Sequence, residues 1–309
     1  KLQNGYEIQP KVRPFTRITF GFKTNEPAQC KLDTKHTKSI GEMPHFFNNN
    51  PLYLTEHNVS LSLPNGQDYS YYIRCRDAKG NANSAEYAIK LSTEVGADLT
   101  PPIIESTSIE NGASIRSDVE NTTLTAYLNE PAQCKWSTTD KNYDSMENLF
   151  ACHTEQYEDQ TFYNLYQCIT TLTGIKQNLE NNFYFKCKDN AGNENAESYK
   201  FSLRRSSPLT LSVSTVPKIE GNKLPSQSFE IKVATVGGSE DGKAHCRFSQ
   251  GTLTSYDTMV DFFNTDSNQH SQQLQLREGS YQLNLVCRDD AINEVSQKLQ
   301  FKIEEDKIP

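Results

Sequence analysis

One segment pattern occurs three times in the 309-residue chain. An alternating run ends in a cysteine, an aspartate follows two residues later, and an asparagine follows four residues after the aspartate. The copies read YSYYIRCRDAKGN (69–81), FYFKCKDNAGN (183–193) and YQLNLVCRDDAIN (281–293). A period of two is typical of a strand with one buried face. The pattern therefore predicts a β-domain that is repeated three times.

Other segments repeat with it and set the domain boundaries. Asn-Glu-Pro-Ala-Gln-Cys-Lys occurs at 25–31 and at 129–135, and predicts a turn between two strands. Pro-containing segments at 98–102 and 204–208 are typical of linkers. We predict an all-β chain of three tandem Greek-key β-sandwiches in an elongated array, with domains 1–97, 98–205 and 206–309. These ranges are called copies one, two and three below.

A methionine and two apolar residues follow the first cysteine of each copy. The spacing of three or four residues predicts a short helical turn whose apolar side chains close the end of the core. The three sets are Met43 with Phe46 and Phe47, Met146 with Leu149 and Phe150, and Met259 with Phe262 and Phe263.

The eight cysteines can all be paired from the repeat. Copies one and three contain two cysteines each, which pairs Cys30 with Cys75 and Cys246 with Cys287 if the copies fold independently. The alignment then pairs Cys134 with Cys187 and leaves Cys152 and Cys168 to close a longer insertion in copy two. Zinc is the alternative, but no Cys-x-x-Cys occurs. We predict disulfides between neighbouring strands of one sheet, and hence an oxidising, extracellular compartment.

Charge and hydropathy limit the partners. The net charge is -8 and the pI is about 5.4, and no Lys/Arg run offers a phosphate footprint, so nucleic acid is not expected. No run of 18 apolar residues is present, and no membrane insertion is predicted within this sequence. The first residues have no signal-peptide core, so we expect a mature or excised piece of a secreted or anchored protein.

Three aspartates are candidates for calcium, the one cofactor considered. Asp77 and Asp189 lie in the repeated hairpin, where closely spaced oxygens resemble a calcium loop. The favoured interpretation is a hairpin whose aspartate binds its own backbone. Asp98, in the first linker, could meet acidic groups of the adjacent domain.

The sequence predicts no catalytic site. His57 and His270 occupy matching positions before a strand, and copy two has Tyr166 there, which favours a structural role. Tyr72 and Tyr184 should face outward, where aromatic rings can stack on sugars, and they are the candidates for ligand binding.

Several motifs together resemble a known family. They are Asn-Glu-Pro-Ala-Gln-Cys, Tyr-Asp-Ser-Met at 143–146 (Tyr-Asp-Thr-Met at 256–259), His57 or His270 before a Leu-containing strand, and Cys-x-Asp-x-x-Gly-Asn. This set resembles the cysteine-bearing Ig-like or fibronectin type III-like repeats of prokaryotic surface proteins. Copy three departs from it, because Ile292 stands where Gly80 and Gly192 do. We therefore question whether its hairpin keeps the same turn.

The resemblance implies a non-enzymatic extracellular protein that acts as a disulfide-stabilised spacer, an adhesive module or an assembly unit on the cell surface. Its partner would be another protein or a surface glycan, or the chain would assemble with itself. The alternatives are a carbohydrate-binding or accessory module of a secreted protein, and a subunit of a surface filament or S-layer-like lattice.

Overall fold

A computed structural model describes residues 4–157 and 165–304. The described residues form five β-sheets and four short 3₁₀ turns. The chain is therefore all-β and consists of tandem β-sandwiches, as predicted. The sequence alternation explains this, because each strand presents its apolar side chains to one face.

Copy one has six strands in one continuous sheet. The order is β1-β6-β5-β2-β3, and β4 also pairs with β2. The strands are β1 (Gly5–Glu7), β2 (Ile18–Asp33), β3 (His45–Phe46), β4 (Leu54–Leu61), β5 (Asp68–Asp77) and β6 (Tyr87–Ser92).

The described residues of copy two form nine strands in two sheets. They are β7 (Ile104–Thr107), β8 (Ser114–Ile115), β9 (Thr122–Leu128), β10 (Ala132–Ser137), β11 (Asn148–Leu149), β12 (Ala151–Tyr157), β13 (Leu165–Leu172), β14 (Glu180–Asp189) and β15 (Tyr199–Arg205). One sheet has the order β11-β10-β14-β15-β8 and the other β12-β13-β9-β7.

Copy three has eight strands in two sheets. They are β16 (Leu209–Val216), β17 (Lys223–Leu224), β18 (Ser228–Gly237), β19 (His245–Gln250), β20 (Val260–Asp261), β21 (Gln269–Gln275), β22 (Gly279–Arg288) and β23 (Glu294–Ile303). The orders are β16-β18-β21 and β17-β23-β22-β19-β20.

The Asn-Glu-Pro segment takes different structures in copies one and two. In copy two it separates β9 from β10, as predicted. In copy one the predicted turn is wrong, because the segment lies inside the 16-residue strand β2. The first part of β2 pairs with β4 and the later part with β5, with a register shift between Lys23 and Ala28. One strand therefore takes the place of two.

Each copy also contains one parallel pair, which the sequence did not indicate. A short strand runs beside the last strand of its copy in β1–β6, β8–β15 and β17–β23. The remaining pairs with a described register are antiparallel.

Each copy has a short 3₁₀ turn, but this turn ends at the residue before the methionine, so the predicted helical turn from the methionine to the apolar pair is wrong. The apolar pairs are also only partly buried. The 3₁₀ turns are Ile40–Glu42, Phe47–Asn49, Tyr143–Ser145 and Tyr256–Thr258. The three methionines are buried, whereas Leu149 is 62% exposed and Phe263 is 85% exposed. The segment after each methionine forms a short strand, and alternation in a strand turns one member of the pair outward. The prediction that both members pack in the core is wrong for copies two and three.

The chain divides into two compact units. The first comprises Lys1–Glu110, Thr123–Thr171 and Phe183–Phe201, and the second comprises Asn111–Thr122, Leu172–Asn182 and Ser202–Pro309. The predicted boundaries of three domains stay predictions. Among the described residues, no helix has the length and apolar character needed to cross a bilayer.

Candidate functional site

Four disulfides link the cysteines in the pairs that the repeat alignment predicts. They are Cys30–Cys75, Cys134–Cys187, Cys152–Cys168 and Cys246–Cys287. In every pair the two residues stand directly opposite each other on neighbouring antiparallel strands. No free cysteine is found in the described part of the chain. Each bond therefore lies within one layer of the sandwich.

The disulfides also account for two sulfur clusters with the composition of a metal site. One contains Cys134, Cys152 and Cys168, and the other contains Cys246, His270 and Cys287. All of these sulfurs belong to disulfides, so none is the thiolate that zinc requires.

The hairpin after each cysteine strand is closed by an aspartate and an asparagine. In copy one, Asp77 Oδ1 accepts the backbone N–H groups of Lys79 and Asn81 at 2.8 Å each, and its Oδ2 accepts the Asn81 amide at 2.7 Å. These hydrogen bonds, the Asn81 side chain first, lower the pKa of Asp77. Both oxygens are engaged, which favours the structural role for Asp77.

Copy three keeps this turn although it has no glycine. Ile292 adopts φ +66°, where Gly80 and Gly192 have +92° and +94°. Asp289 accepts the Asn293 N–H and amide at 2.8 Å each, as the other two aspartates do with their asparagines. The doubt about this hairpin is therefore resolved: the aspartate and asparagine impose the turn, and the isoleucine bears the unfavourable backbone conformation.

The first linker is docked against copy two by polar contacts. The Ile103 N–H donates to Asn129 Oδ1 at 2.6 Å, and the Asn129 N–H donates to the Ile103 carbonyl at 3.1 Å. The Asn193 amide donates to the Asp98 carbonyl at 3.1 Å. Thr100 Oγ1 donates to the Pro14 carbonyl of copy one at 3.0 Å. These bonds fix the course of the segment between Asp98 and Ile103.

Three carboxyl groups meet beneath this linker. Asp98, Glu130 and Asp189 each have a carboxyl oxygen within 4.8 Å of the others. The Glu130 side chain is only 1% exposed, and its Oε1 accepts the Asn129 amide at 3.2 Å. Burial, followed by the charges of Asp98 and Asp189, raises the pKa of Glu130 to about 9. Glu130 is therefore protonated at neutral pH and hydrogen bonds with Asp98.

The cluster can hold a proton, and its ligand set of three carboxyl groups is also the kind that calcium prefers. The structure brings Asp98 and Asp189 together, as the linker hypothesis for calcium requires, and leaves Asp77 apart in its own hairpin. Calcium binding stays a prediction, which a melting curve with calcium and with EDTA would test.

The repeated histidines are buried beside hydroxyl groups. His57 Nε2 lies 3.3 Å from Thr24 Oγ1, and His270 lies 2.9 Å from Thr235 Oγ1 and 3.1 Å from Thr265 Oγ1. Burial lowers the pKa of both imidazoles. Such neutral, enclosed rings suit the structural role that the sequence indicated.

The two tyrosines proposed for ligand binding are half-buried and lie on separate copies. The Tyr72 ring is partly covered by His36, with ring centroids 3.7 Å apart. Stacking on a sugar at Tyr72 would require His36 to move. Glycan binding through Tyr72 or Tyr184 stays a prediction.

The sequence did not single out Glu130 and Asn129 as site residues. The sequence feature that points to them is the exact repetition of Asn-Glu-Pro-Ala-Gln-Cys-Lys at 25–31 and 129–135. A turn alone does not require seven identical residues. The second such segment is where the linker docks.

Comparisons with known proteins found similar solved structures at low sequence identity. No protein-family model and no curated protein matches the sequence. Similar solved structures include the fibronectin(III)-like modules of CbhA from Clostridium thermocellum, with 10% identity over 67% of this chain and 96% of theirs and a TM-score of 0.39. Drosophila OTK extracellular domains 3–5 are 9% identical over 97% of this chain and 94% of theirs, with a TM-score of 0.34. Chicken CNTN1 domains FN1–FN3 are 10% identical over 95% of this chain and 100% of theirs, with a TM-score of 0.35.

The fold is assigned from the strand order. The strand order is that of an Ig-like or fibronectin type III-like β-sandwich fold, and each copy has a disulfide within one sheet. The strand order of copy three, with sheets of three and five strands, is the clearest case.

Proposed function

We propose that the chain is a non-enzymatic structural or adhesive part of an extracellular surface protein, in which it acts as a spacer or assembly unit. The observation that carries this proposal is the set of four disulfides. Stable disulfides form in oxidising compartments, and the chain devotes all eight cysteines to them.

The docked linker supports the same role. A spacer must hold successive domains in a defined relation, and the linker between Asp98 and Ile103 is bound by side chains of Asn129 and Asn193. Thr100 bonds to copy one within the same compact unit. The polar groups of this region are thus used to fix the backbone.

Location is tested by labelling intact source cells with antibodies raised against the chain. Surface labelling without permeabilisation is expected. Labelling that requires permeabilised cells would contradict the extracellular role. As a chemical control, iodoacetamide applied without reductant should modify none of the eight cysteines in the native protein, whereas modification at Cys30 and Cys75 would remove the basis of the proposal.

A further inference from the structure

Copy one has an open sheet edge where the other copies have a strand. In copy two, β7 pairs with β9, from Ile104 opposite Leu128 to Thr107 opposite Ala126. In copy three, β16 pairs with β18 over its whole length. The corresponding first part of β2, residues 18–23, pairs with β4 on one side, and no strand within residues 4–157 and 165–304 pairs with its other side.

The apolar side chains along this edge are correspondingly less buried. The shared Asn-Glu-Pro segment aligns Phe20 and Phe22 with Leu124 and Ala126. Leu124 and Ala126 are 0% exposed, whereas Phe20 and Phe22 are only partly buried at the margin of their core. A strand that covered this edge would remove apolar surface from water, which favours binding.

A groove of about 650 Å³ continues from this edge. Its lining includes Phe22 and the four polar residues Asn25, Glu26, Asp77 and Asn81. The same four residue types at the same positions of copy two, Asn129, Glu130, Asp189 and Asn193, surround the docked linker. Asn25 and Glu26 are exposed, whereas Asn129 and Glu130 are 0% and 1% exposed. Copy one therefore presents the polar groups of a linker site to solvent.

We propose that the open edge of β2 and the adjoining groove bind the linker and first strand of another repeat of the same kind. The occupant has the chemistry of residues 97–108, Ala-Asp-Leu-Thr-Pro-Pro-Ile-Ile-Glu-Ser-Thr-Ser. Its linker supplies a backbone N–H to the Asn25 side chain and a carbonyl to the Asn81 amide, and its strand extends the sheet by backbone pairing. The site would provide the contact by which the chain acts as an assembly unit, and this inference rests on that proposed function.

The test uses the full chain and a fluorescent synthetic peptide with the sequence of residues 97–108. We expect saturable binding in fluorescence anisotropy and slower amide hydrogen exchange at residues 18–24. Asn25→Ala should weaken binding about tenfold or more, because it removes the acceptor of a backbone hydrogen bond. Asn190→Ala, an exposed asparagine in the hairpin of copy two, is the matched control and should bind like the wild type.

A second peptide separates strand addition from simple adhesion. Ser108→Pro in the peptide removes an N–H whose equivalent in copy two donates to the Thr125 carbonyl at 2.8 Å, and it should reduce exchange protection at residues 18–24. The proposal is overturned if the wild-type peptide does not bind at millimolar concentration, or if Asn25→Ala and the proline peptide bind as well as their parents. It is also overturned if the chain instead self-associates in sedimentation and the peptide does not compete. Cell-surface labelling is independent of these outcomes, so failure of this site and failure of the proposed function are distinguishable.

Discussion

Replacement of Glu130 with glutamine should make copy two more stable at neutral and alkaline pH. Glu130 is 1% exposed, and its carboxyl group lies beside those of Asp98 and Asp189. Its charged form is therefore strongly disfavoured in the folded protein. Glutamine has nearly the same shape and is always neutral. Its amide can donate to Asp98 as the protonated carboxyl group does.

The sign and size follow from linkage. The pKa of Glu130 is raised from 4.5 to about 9, so folding requires proton uptake between these values. The contribution of Glu130 to the free energy of unfolding is fully present below pH 4.5 and is lost as the pH rises toward 9. The total loss is at most roughly 6 kcal/mol. At pH 7 the loss already amounts to about 3 kcal/mol. The glutamine variant should lack this loss.

Urea unfolding followed by tryptophan fluorescence measures this directly, because the single tryptophan lies in the core of copy two. Trp136 is 3% exposed and its indole N–H donates to Thr170 Oγ1 at 2.9 Å. Between pH 5 and pH 9 the wild-type free energy of unfolding should fall more steeply than that of Glu130→Gln. Glu26→Gln, at the exposed equivalent position of copy one, is the control and should follow the wild type. Parallel profiles for wild type and Glu130→Gln would refute the reasoning.

The other predictions concern the hairpin, a disulfide and a histidine. Ile292→Gly should stabilise copy three by about 0.5–1 kcal/mol in calorimetry, because it relieves φ +66° in an exposed residue, and Gly80→Ile should destabilise copy one; the reverse order would contradict the strain argument. Alanine at both Cys246 and Cys287 opens a loop of 41 residues and should lower the free energy of unfolding by about 4 kcal/mol, and an unchanged denaturation midpoint would be inconsistent with this. Burial lowers the pKa of His270 below 6.5, so copy three should lose stability as the pH falls below 6.5, and His270→Asn should remove that dependence in denaturation curves.

The sequence predicted those features that each copy determines by itself. Two cysteines in a self-contained copy leave one pairing. The hairpin of copy three was in doubt because Ile292 replaces glycine, and the structure shows that the Asp-Asn hydrogen bonds keep the turn. The environment of the Asn-Glu-Pro segment could not be predicted, because its two occurrences are identical in sequence. Glu26 is exposed in a continuous strand, whereas Glu130 is buried under a linker. The segments that pack against the two glutamates cause this difference in burial.

The placement of the disulfides has a consequence for the response to mechanical load. A pulling force applied to the ends of a copy cannot extend the segment between its two disulfide-bonded cysteines. The Cys30–Cys75 bond holds back 45 residues, a contour length of about 150 Å. Only reduction would release that length. A surface protein built of such repeats would remain short under tension in an oxidising medium and lengthen once a reductant reached it.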